Sequence, residues 1–112
     1  MRLTQIPYQD AVRDNLRIPH TVGNVFRHMS YFEQAAGIHF ETVHDDSGLG
    51  NAIVAIFRFP SGDLAAIGTR PTTKSRGVEL LCSTPETETT VLEAFRSAFP
   101  DISESEIDTR KL

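Results

Sequence analysis

The sequence predicts an α+β domain with two N-terminal helices, a four-stranded antiparallel meander and one C-terminal helix, in the order α-α-β-β-β-β-α. Three observations lead there. Apolar residues recur at helical spacing over 22–36, four strand-like runs bounded by Gly or Pro lie within 38–83, and a second helical stripe precedes Pro100. At 112 residues the chain suits one domain, 1–112, able to bury about two thirds of the surface its unfolded form exposes.

Pro7 followed by Tyr8, Ala11, Val12 and Leu16 predicts a short first helix with Pro in its first turn, ended before Pro19. Thr21 serves as N-cap of the second helix, whose stripe is Val22, Val25, Phe26, Met29, Phe32 and Ala36, and Gly37 suits a left-handed C-cap. Gly23 falls in the first turn of that helix, where its cost is small. From Ile38 the period changes. Residues 38–44, 52–59, 64–70 and 78–83 read as strands, with DDSGLGN as a turn, PSGD as a hairpin connection and PTTKSRG as a longer basic loop. Thr84 then caps a helix with Pro85 at its first position, and Val91, Leu92, Phe95, Ala98 and Phe99 form its apolar face. The acidic tail, 101–112, either adds a turn, since Ser103 and Glu106 have capping-box spacing, or frays.

Two helices on one face leave a question about the other. Ile53, Ala55, Phe57 and Phe59 share one face of the second strand, whereas Val54, Ile56 and Arg58 share the opposite one, which is not polar. Ala65 and Ile67 likewise oppose Leu64 and Ala66, and Leu81 opposes Val78, Leu80 and Cys82. A sheet with one face in water alternates more cleanly than this. The cover is the first helix, the C-terminal tail, a second copy of the chain or another protein.

The net charge of -4 sits at the end of the chain: Glu86, Glu88, Glu93, Asp101, Glu104, Glu106 and Asp108 stand against Arg96, Arg110 and Lys111. Acidic surface repels phosphate backbones and speeds encounter with basic proteins, so a basic protein partner is favoured over nucleic acid. The plainer reading is a solvated helix face. Cys82 stands alone, which excludes an intrachain disulfide and a thiolate zinc cage. No stretch approaches the roughly 20 apolar residues of a membrane span, and MRLTQIPYQDAVRD lacks the apolar core of a signal peptide. A cytoplasmic protein that binds no membrane is expected.

The one candidate acid/base or metal set is His39, Glu41, His44 and Asp46, with Asp45 beside it. Its spacing is against it, because His39 and His44 point to opposite faces of an uninterrupted strand and Asp45 and Asp46 are ordinary turn formers. His20 and His28 read as surface residues. Cys82 precedes the last helix, yet its parity with Val78 and Leu80 marks a buried, inert thiol. Ser61 is explained by its turn, and GLGN lacks the third glycine and the following helix of a phosphate loop. Arg70, Lys74 and Arg76 gather positive charge around one loop and form a candidate anion site. The segment AIFRFPSGDLAAIGT resembles the saddle hairpin of TATA-box binding proteins. That family follows its hairpin with a helix, whereas this chain adds a loop and a strand without a second repeat or basic flank, so DNA binding is not carried over.

Two functional classes follow. The first is a non-catalytic protein-binding module of immunity or antitoxin type that blocks a basic toxin or nuclease. Its contact residues would be Tyr31, Glu33, Glu86, Glu88 and Glu93, together with Val54, Ile56 and Ile67 of the sheet, and it needs no cofactor or metal. The second is a small enzyme or ligand-binding domain using the His/carboxylate set. A homodimer through the sheet face is compatible with either.

Overall fold

The computed structural model describes residues 3–44, 51–71 and 76–109. Along the chain lie β1 (Thr4–Ile6), α1 (Tyr8–Arg13), β2 (His20–Val25), α2 (Met29–Ala36), β3 (Glu41–Val43), β4 (Ala52–Arg58), β5 (Leu64–Thr69), β6 (Val78–Cys82), α3 (Glu88–Ala98) and β7 (Ile107–Asp108). They build an α+β fold on a 7-stranded sheet of order β1-β4-β5-β6-β2-β7, with β3 beside β1 on the same edge of β4. Every pairing is antiparallel.

This overturns the expected four-stranded meander with two N-terminal helices. β3 to β6 follow one another in the sheet, but strands also form on both sides of α1 and after α3. The largest difference is at Thr21–Val25, expected as the start of a helix and found as most of β2. The register passes from Thr21↔Leu81 to Gly23↔Leu80, so Val22 is an extra residue in a β-bulge. Such a bulge resets the alternation of two, letting Val22 and Val25 reach the same core although three residues apart. That spacing imitates a helix, while the β-branched Thr21, Val22 and Val25 favour extended backbone. The helix begins later: His28 is its N-cap, its Nδ1 accepting from the Ser30 backbone N–H at 3.1 Å, and Gly37 closes it at φ 65°.

Handedness explains where the helices lie. Because β1, β2 and β3 all run antiparallel to alternate members of one ladder, they are parallel to one another, and α1 and α2 are crossovers in opposite directions over the sheet. Crossovers of one hand in opposite directions must use opposite faces. Accordingly α2 and α3 cover the first face, where Phe32, Phe57, Phe95 and Phe99 are buried together, and α1 covers the second through Ala11 against Ile56 and Ala66. Phe99 packs edge-on to Phe32 with centroids 5.2 Å apart and lies 5.0 Å from Phe95. Each such ring contributes about 2 kcal/mol or more through burial alone.

α1 ends in a compact turn. Asn15 is left-handed at φ 56°, Asn15 N–H donates to Val12 O at 3.1 Å and Leu16 N–H to Ala11 O at 2.9 Å, the pairing of a Schellman motif. Beyond α3, the chain turns through a 3₁₀ segment at Glu104–Glu106, where Glu106 accepts from the Ser103 backbone N–H, and then pairs as β7 with β2. Gly23 permits that pairing, since a Cβ there would lie 2.5 Å from Asp108 O.

Candidate functional site

The cover over the second face is incomplete. α1 has six residues, about 9 Å of helix, whereas β4 has seven residues and spans about 23 Å. α1, with Leu16 and Ile18 of the segment after it, shields the strands around Ile56, Leu64 and Ala66, and among the described residues none of these covers the other end. There lies a groove of about 450 Å³, floored by Val54, Gly68 and Leu81 and walled by Asn24, Phe26, Arg70, Arg76 and Glu79. Among the described residues Phe26, 53% exposed, and Val12 on α1, at 59%, are the large apolar side chains in the open.

The chain at Gly77, beside the groove, is pinned from the sheet. Thr69, a buried polar residue at the end of β5, donates its hydroxyl to Gly77 O at 3.1 Å. Gly77 sits at φ 135°, and a Cβ there would come within 2.2 Å of Val25 O, so the loop returns tight against β2. Arg70 and Arg76 of the candidate anion site thus share one groove, while Lys74 lies outside the described residues.

The expected partner-contact residues are scattered. Val54 is in the groove floor, but Ile56 is buried at 8% exposure beside α1, and Ile67 is fully buried on the first face. Tyr31 packs edge-on to Phe32 and lies beneath the Arg27 guanidinium, 4.5 Å from the ring centroid. Burial, with the Asp101 charge, raises its phenol above the ordinary tyrosine value. Glu33, Glu86 and Glu93 are exposed, whereas Glu88 meets His20 Nε2 at 2.7 Å. Phe26, Asn24 and Glu79 were not among the candidates from sequence. The β-branched Thr21, Val22 and Val25 favour the extended backbone of β2 that turns Asn24 and Phe26 toward the groove, but their helical interval hides it, and Glu79 follows from the parity of β6.

The described members of the His/carboxylate set have separate roles. The Glu41 carboxylate accepts from Tyr8 N–H at 2.8 Å and so anchors the start of α1. His39 is exposed, its backbone bracketed by the Gln5 side-chain amide, and Asp45 and Asp46 lie outside the described residues. Among the described residues no three His, Cys, Asp or Glu side chains gather as metal ligands. Cys82 is fully buried, its thiol donating to Thr84 O at 3.1 Å.

The acidic segment after α3 is tied to the rest of the fold through Glu106 and Glu104. Arg27 binds Glu106 with Nε at 2.6 Å and Nη2 at 2.7 Å, and Nη2 also reaches Asp101 O at 3.3 Å. These bonds, with the Ser103 backbone N–H, hold the Glu106 carboxyl down at about 2, and the same carboxylate raises Arg27. Glu104 pairs with Arg96 at 3.1 Å across the turn from α3.

Comparison of the chain with protein-family models, curated proteins and solved structures gave no match. Among the described residues no helix is long and apolar enough to cross a membrane.

Proposed function

We propose that the protein is a non-catalytic binding module of immunity or antitoxin type, which neutralises a basic protein by direct contact through its acidic α3 side. The observation that carries this reading is the order of that surface. Glu86 just before α3, Glu93 on it, and Asp101 and Glu104 in the turn after it are exposed, Glu104 beside Arg96, and the Arg27–Glu106 contact fixes that turn to the sheet. Carboxylates carried on an ordered backbone need no folding of that backbone on binding, and their field accelerates encounter with a basic surface.

The test is isothermal titration of the protein against each basic product of the genes flanking its own, with inhibition of that product's activity measured in parallel. A one-to-one complex, weakened about tenfold or more by Glu86→Lys with Glu93→Lys and by high salt, supports the reading. Absence of binding to every such product ends it.

A further inference from the structure

We draw no further inference here: the strongest candidate, the groove on the second face of the sheet floored by Val54, Gly68 and Leu81, carries nothing because nothing in the structure shows what covers it.

Discussion

Arg27 and Glu106, far apart in sequence, form a bidentate pair in which one guanidinium donates to both carboxylate oxygens, at 2.6 and 2.7 Å. The pair stands where β7 joins β2, beside the Phe26 N–H bond to Glu106 O at 2.8 Å. Glu106 is thus bound through side chain and backbone at once, and the acidic end of the chain is held by the same residue that carries one of its charges.

Stability is expected to fall in acid through this residue. The Glu106 carboxyl is lowered from 4.5 to about 2, first by the Arg27 hydrogen bonds and then by the Ser103 N–H. A depressed carboxyl stabilises the fold above its unfolded value, and that contribution is lost as pH falls from about 4.5 toward 2. Urea midpoints measured across this window should drop for the wild type and change less for Glu106→Gln.

Gly23→Ala is expected to destabilise by about 1–3 kcal/mol, since the new Cβ meets the Asp108 carbonyl at 2.5 Å and must push β7 away. Urea unfolding gives the magnitude. Faster hydrogen exchange at the Phe26 amide, with the β4 amides unchanged, would locate the damage at β7.

Phe32→Ala should cost about 3–5 kcal/mol, because its ring is fully buried against Phe95 and Phe99. Val12→Ala, by contrast, should change the stability of the monomer by no more than about 0.5 kcal/mol. Thermal melts of dilute protein separate the two.

Cys82 should not react with a thiol reagent in the native state, since it is fully buried and its thiol is engaged with Thr84 O. The labelling rate is expected to follow global unfolding as urea is added. Fast labelling in the absence of denaturant would restore a reactive role for this thiol.

Glu41→Ala is expected to cost about 1 kcal/mol through loss of the acceptor for Tyr8 N–H at the start of α1. His39→Ala, at an exposed side chain, should cost far less. If the two lost stability equally and a bound metal together, the His/carboxylate site would return.

The sequence by itself determined the elements whose signals are local. The stripe of Val91, Phe95 and Phe99 marks α3, although Pro85, expected at its first position, opens a 3₁₀ turn and α3 begins at Glu88; Gly37 marks the end of α2, and the runs around PSGD mark β4 and β5 within a residue of their bounds. The parity of β4 also showed that the sheet's second face is apolar and needs cover. What the sequence could not show was β2, because its bulge places Val22 and Val25 on one face at a helical interval, nor the two- and three-residue strands β7 and β1, which exist only through pairing with distant partners. The groove belongs to the same class. Its floor was legible as the opposite parity of Val54 and Leu81, but its walls join β2, β5 and β6 with the loop between them. Only the tertiary structure decided that α1 crosses the second face while α2 returns over the first, and that a groove lies beside the patch that α1 covers. Period and propensity act over a few residues, whereas crossover hand, strand order and the reach of a helix across a sheet are properties of the whole chain.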